Sequence, residues 1–181
     1  MQPNEVKLLV VDDHPVFRRG LREIIEENPH FSVVGEASDG EAAMRMIPDL
    51  KPDIAVVDID MPRLNGLEMV RALRKSDVPI AIIFLTMYKE EDMFNAAMDM
   101  GVKAYVLKEN ATDDILTALE KVARGETFVS SSISVMGQRR SDRVQELLLS
   151  KPQIDHLTAA ERRILKLIAE DRPSKEIADL L

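Results

Sequence analysis

Short runs that are apolar at almost every position alternate, over the first 125 residues, with longer stretches in which apolar residues recur every three or four places. The apolar runs are Val6 to Val11, Phe31 to Ala37, Ile54 to Asp58, Ile80 to Leu85 and Ala104 to Leu107. Runs of this length without strict alternation suit strands covered on both faces, as in a parallel sheet. Between them, Pro15 can open a helix carrying Val16, Phe17, Leu21, Ile24 and Ile25, which Glu27-Asn28-Pro29 stops. Asp39-Gly40 turns into a second helix with Ala42, Ala43, Met46 and Ile47, and Pro48 marks its expected end. Helices are predicted again at Gly66 to Lys75, Glu90 to Met100 and Thr112 to Arg124. Five strand-helix units in this order predict an α/β fold, a doubly wound sheet of five parallel strands with helices on both faces.

The texture changes after residue 128. Ser130-Ser131-Ser132 and Gln138-Arg139-Arg140-Ser141-Asp142 are polar and carry no strand signal, so 129–150 reads as a linker in which Val144 and Leu147 to Leu149 can form a short helical turn or a docking patch. A new unit is expected over 151–181. Leu157-Thr158-Ala159-Ala160-Glu161 fits a capping box, Ile164, Leu165, Leu167 and Ile168 line the helix that follows, and Ser174 can cap a second one. Two short helices bury too little to fold alone, so this small all-helical C-terminal module is expected to be incomplete.

Composition narrows the chemistry. The 181 residues are 45% hydrophobic and include no cysteine, which excludes disulfides, thiolate metal sites and a thiol nucleophile. No apolar stretch approaches the length of a membrane span and the N-terminus has no basic leader before an apolar run, so a soluble cytoplasmic protein is expected. The net charge of -8 is uneven: residues 1–128 hold 24 acids against 15 bases, and residues 129–181 hold 8 against 9. An acidic module joined to a nearly neutral one lacks the basic field of a complete DNA-binding surface.

Asp12 and Asp13 follow the first apolar run directly, and Asp58 ends the third. If these runs are neighbouring parallel strands, the three acids meet at one carboxyl edge. They cannot all stay ionised there unless a cation or shared protons offset their repulsion. That requirement points to a hard divalent metal and to phosphate chemistry. Thr86 and Lys108 also stand immediately after strands, at the edge where doubly wound sheets bind ligands. In such a site Asp58 is the nucleophile, Lys108 a point charge able to pair with phosphate, and Thr86 a hydroxyl donor. His14 reads as a surface or capping residue rather than a ligand. For Tyr105, core packing and switching look alike in sequence.

Val11-Asp12-Asp13-His14, Asp58-Ile59-Asp60-Met61-Pro62-Arg63-Leu64-Asn65-Gly66, Leu85-Thr86 and Ala104-Tyr105-Val106-Leu107-Lys108 together resemble the receiver domain of bacterial two-component response regulators. The resemblance covers residues 1–128 and implies a flavodoxin-like sheet of strand order 2-1-3-4-5. It implies that Asp58 accepts a phosphoryl group from a sensor histidine kinase, with magnesium (or manganese) held by Asp12, Asp13, Asp58 and the backbone carbonyl of Asp60. It further implies that Thr86 and Lys108 sense the phosphate and that Tyr105 is the switch aromatic. Such a domain acts on its own side chain and is not an enzyme in the ordinary sense. Many receivers place proline after the active lysine; here Glu109 follows Lys108.

Leu157 to Ala169 followed by Pro173-Ser174-Lys175-Glu176-Ile177-Ala178 looks like the opening of a LuxR-type helix-turn-helix. With the receiver, it resembles the NarL/FixJ group of transcriptional response regulators. The resemblance implies a phosphorylation-dependent DNA-binding regulator, able to form a homodimer, whose recognition helix lies beyond Leu181. This chain is then expected to bind specific DNA weakly or not at all, with Arg162, Arg163 and Lys166 as candidate phosphate contacts. The rival reading is a receiver-type signalling module that works through protein interaction without DNA.

Overall fold

The computed structural model describes residues 5–149. In chain order the elements are β1 (Val6–Val11), α1 (Pro15–Glu26), β2 (Phe31–Ala37), α2 (Gly40–Leu50), β3 (Ile54–Asp58), α3 (Gly66–Lys75), β4 (Ala81–Thr86), α4 (Glu91–Asp99), β5 (Ala104–Leu107), α5 (Ala111–Ala123), β6 (Phe128–Val129) and α6 (Ser134–Leu149). The strands form one sheet in the order β2-β1-β3-β4-β5-β6, all parallel. The expected order 2-1-3-4-5 is present within it. The chain through Gln138 forms one unit and the chain from Arg139 a second.

Helix starts follow local chemistry. Pro15 occupies the first turn of α1, where its missing N–H costs nothing. Asp39 caps α2 by accepting from Ala42 N at 2.9 Å. Asn65 and Glu68 form a reciprocal capping box on α3, with bonds of 2.9 and 3.2 Å.

Strand side chains alternate between two buried layers, as the pleat requires. Leu9, Val11, Ala55, Val57, Ile82, Phe84, Tyr105 and Leu107 share one layer with residues of α2, α3 and α4, including Ile47, Met69, Leu73 and Phe94. Leu8, Val10, Ile54, Val56, Ile83, Leu85 and Val106 share the other with Leu21 and Ile25 of α1 and Ile115 and Leu119 of α5. Because both faces are covered, β3, β4 and β5 are apolar up to the residues that end them, and those polar ends are confined to the sheet's rim.

Three details depart from the sequence pattern. Helix α2 continues past Pro48 to Leu50, where Lys51 N closes the last turn on Ile47 O at 2.9 Å. A proline so near a helix end removes a single bond, which the end of the helix tolerates. Val16 is 87% exposed, because the buried side of α1 is set by Leu21 and Ile25.

The third departure is the largest. Within the stretch 129–150 read as a linker, Val129 completes a two-residue sixth strand begun at Phe128, and Ser134–Leu149 form a 16-residue helix. Tyr105 pairs with Val129, and Ser130 N donates to Tyr105 O at 3.0 Å. The buried Ser130 hydroxyl accepts from Leu107 N at 3.1 Å and donates to Asp114 Oδ2 at 2.5 Å. Ile133 then enters the core layer that holds Tyr105 and Leu107. Among the described residues, no helix is long and apolar enough to cross a membrane. The helices read after Leu157, with Arg162, Arg163 and Lys166, lie outside the described residues.

Candidate functional site

Neighbouring strands bring the edge residues together. β1 lies beside β3 with Val11 opposite Val57, and β3 beside β4 with Asp58 opposite Leu85. β4 lies beside β5 with Thr86 opposite Leu107. Asp12, Asp13, Asp58, Thr86 and Lys108 therefore share one rim of the sheet. Oxygen or nitrogen atoms of Asp12, Asp13, His14 and Asp58 all lie within 4.8 Å of one another.

Lys108 sits among the acids. Its Nζ is 2.7 Å from Asp12 Oδ2 and 2.6 Å from Asp58 Oδ2, while its stem passes the Phe17 ring with Nζ 4.9 Å from the centroid. Burial opposes the ammonium charge, but the bonds to Asp12 and Asp58 outweigh it and raise the Lys108 pKa. Asp58 is also buried, and burial, joined by the neighbouring charge of Asp12, raises its pKa against the pull of Lys108. Its other oxygen accepts from Asp60 N at 3.3 Å.

Two carboxylate oxygens, Asp12 Oδ2 and Asp13 Oδ1, are buried without a well-formed hydrogen bond. The first has the Lys108 ammonium as an ion-pair neighbour, and the second has His14 Nδ1 at 2.7 Å. Oxygen ligands this close, with unfilled acceptor capacity, fit a small hard divalent cation. His14 occupies the N-cap position of α1 but makes no side-chain cap. Its ring is 68% exposed and leans on the acids instead.

Thr86 is fully buried, and its Oγ1 accepts from Tyr88 N at 3.1 Å. Tyr105 is also fully buried and donates from its hydroxyl to Tyr88 O at 3.1 Å. The backbone of one residue, Tyr88, thus joins the two side chains. Phe94 meets Tyr105 edge-on at 5.4 Å. Burial pushes the Tyr105 hydroxyl well above the usual phenol range, so it stays a donor.

Other residues that shape the site carry no clear sequence signal. Arg18 of α1 donates to the Asp12 carbonyl at 2.6 Å. In the loop after Asp58, Arg63 takes a left-handed backbone with φ 66° and pairs with the buried Asp39. Gly40 N donates to Leu64 O at 3.0 Å, so the loop is tied to the start of α2 at two points. At Gly66 a Cβ would collide with the Asp58 carbonyl, which only glycine avoids.

The Arg63 guanidinium first, and the Ala42 amide second, hold Asp39 well below the usual carboxylate range. A depressed folded-state pKa contributes stability above the unfolded value of about 4 and loses it as pH falls through the folded one. Asp39→Ala removes the cap and one of the two loop ties, and is expected to cost about 1 to 2 kcal/mol at pH 7. In urea unfolding, the gap from wild type should narrow steadily below pH of about 4. A gap that stays constant down to pH of about 2 would contradict the ionised cap.

A parallel sheet of this order, with three acids and a lysine gathered at its carboxyl rim, is the architecture of a receiver domain, and the response regulator receiver domain family matches residues 8–120. The nitrate/nitrite response regulator NarL of Escherichia coli K12 is 35% identical over 173 residues, covering 94% of this chain and 78% of NarL. The isolated receiver domain of RcsB from Salmonella enterica serovar Typhimurium, solved with the phosphomimetic BeF3-, superposes with a TM-score of 0.69. It is 28% identical and covers 74% of this chain and 99% of that domain. A Salmonella typhimurium RcsB structure concerned with DNA interaction matches at TM-score 0.69 and 28% identity, over 97% of this chain and 82% of RcsB. The chain belongs to the NarL/FixJ group of two-component response regulators. Its chemistry is accordingly the gain and loss of a phosphoryl group on the protein itself, not turnover of an external substrate.

Proposed function

We propose that Asp58 is the phosphoacceptor of a transcriptional switch. The observation that carries this reading is the meeting of Asp12, Asp13 and Asp58, with Lys108 on Asp12 and Asp58 and with buried carboxylate oxygens still short of hydrogen bonds. The carboxylates of Asp12, Asp13 and Asp58 and the carbonyl of Asp60 would hold magnesium or manganese. When bound, the ion supplies positive charge that lets the carboxylate and an incoming phosphoryl group approach. A carboxylate oxygen of Asp58 attacks phosphorus, a P–O bond forms, and the P–N bond to the histidine of a sensor kinase breaks.

Lys108 already bonds Asp58, and its ammonium can follow the new charge from carboxylate to phosphate. Thr86 accepts from Tyr88 N and keeps a proton of its own, which can turn from the neighbouring Tyr105 oxygen to a phosphate oxygen. Such a shift of Thr86 would pull on the Tyr88 backbone and hence on the bond from Tyr105, the proposed switch residue. The output is a change of population between two packings of β4, β5 and α4.

Downstream, residues 151–181 fit the start of a helix-turn-helix domain, in keeping with the likeness to NarL and to an RcsB structure concerned with DNA interaction. Double-stranded DNA and a second copy of the chain are the proposed partners besides the kinase. Treated with magnesium and acetyl phosphate, the purified protein should gain about one phosphoryl group in an acyl linkage. Hydroxylamine should release it within minutes. A label that resists hydroxylamine would be an ester on Ser, Thr or Tyr and would end the reading.

A further inference from the structure

Arg18 makes contacts that helix-surface arginines ordinarily do not. Its side chain is 18% exposed, and its fork spans two acceptors: Nη1 donates to the Asp12 carbonyl at 2.6 Å and Nε to Glu36 Oε2 at 3.2 Å. Glu36 stands on β2 opposite Val10, two residues before Asp12. Its second oxygen takes Arg22 Nη1 at 2.9 Å, and Arg22 also bonds Glu26 at 3.0 Å. The guanidinium is thus held from one end while it holds the Asp12 peptide with the other.

That peptide matters for both acids. The Asp12 carbonyl and the Asp13 amide belong to one rigid plane. Asp12 N is already fixed by its bond to Ala37 O at 3.1 Å. With the carbonyl fixed as well, both backbone torsions of Asp12 are arrested, which sets the direction of its carboxylate and the plane from which Asp13 departs. Glu36 offsets the guanidinium charge, so the arginine orients the acids without strongly repelling a cation that they bind.

We propose that Arg18 is a positioning residue for the divalent-ion centre, clamping the Asp12–Asp13 peptide so that both carboxylates face the ion, with Glu36 as the anchor of the clamp. This rests on the reading of Asp12 and Asp13 as ion ligands. Groups at this distance from a metal commonly change its affinity ten- to a hundredfold, and a contact through the backbone places the expected effect at about tenfold.

The test is direct Mn2+ binding by the full chain, followed by the EPR signal of the free ion, with no phosphodonor present. Arg18→Ala should weaken Mn2+ binding by about tenfold. Glu36→Gln, which leaves the donor to Asp12 in place but frees its other end, should weaken it less. Arg18→Lys should recover part of the loss, since a point charge reaches one acceptor of the two. In phosphorylation assays the Mg2+ concentration for half-maximal rate should rise for Arg18→Ala, while the rate at saturating Mg2+ approaches wild type. A purely structural role would lower the rate at every Mg2+ concentration.

Asp13→Asn serves as the control that separates the two ideas. If Asp13→Asn loses Mn2+ while both Arg18→Ala and Glu36→Gln bind as wild type, the clamp is overturned and the ion reading stands. Tighter binding by Arg18→Ala would also overturn it, because the guanidinium would then act as a repelling charge. If neither Asp13→Asn nor Arg18→Ala alters binding, the ion reading falls and takes the clamp with it.

Discussion

Asp58→Asn is expected to take up no phosphoryl group from acetyl phosphate and magnesium under conditions where wild type is labelled. The substitution keeps the shape of the side chain and removes the nucleophilic oxygen pair. Folding should survive it: the amide fits the same space, and removing one of two neighbouring acids relieves the repulsion that Asp12 exerts on Asp58. Asp12 still pairs with Lys108 in the variant. Intact mass spectrometry reads the label, and a thermal midpoint at or above that of wild type excludes unfolding as the cause. Undiminished labelling of Asp58→Asn would mean that another residue accepts the phosphoryl group.

Lys108→Met should produce the largest change in stability. The Lys108 side chain is 9% exposed and pairs with two buried acids, and stripping one partner from a buried ion pair typically costs about 3 to 5 kcal/mol. Protonation of an acid would relieve part of this, leaving a fall in the metal-free melting temperature on the order of 10 °C. The folded-state pKa of Lys108 is raised, so its contribution is complete below the unfolded value of about 10.4 and lost only as pH rises beyond it. The deficit should therefore be flat near neutrality. It should shrink in acid, where Asp58, whose pKa burial already raises, takes up a proton and no longer needs the ammonium.

Magnesium supplies the check. In wild type the ammonium and a cation compete for Asp12 and Asp58, so Lys108→Met should be stabilised by Mg2+ more than wild type is. Calorimetric scans with and without Mg2+ measure both effects. An unchanged metal-free midpoint would show that Lys108 does not neutralise the acids.

The sheet and most of its rim were legible in the sequence because both obey short-range rules. A strand covered on two faces must be apolar throughout, so Asp12, Asp58 and Thr86 stand out where the runs of β1, β3 and β4 stop. Lys108 is marked in the same way by the end of β5. The supporting residues follow no such rule. Arg18 on an amphipathic helix reads as one more solvated cation, and only the register of β2 against β1 shows that Glu36 can hold it. Arg63 sits in a loop whose course the sequence does not specify, so its pairing with Asp39 was invisible, although the turn into α2 at Asp39-Gly40 was legible. β6 is two residues long and has no period to detect. Ser130 lies in a serine run that reads as a spacer, and its buried bonds to Leu107 and Asp114 are long-range.

Ser130 and β6 also bear on where this chain can be divided. Without Phe128 to Ser130, the Tyr105 carbonyl and the Leu107 amide would lose their partners and β5 would become a bare, flat outer strand. Such a margin invites another molecule to add on, and the fragment would tend to self-associate through it. An excised sensor half that stays monomeric must carry the segment through Ile133, whose side chain seals that flank.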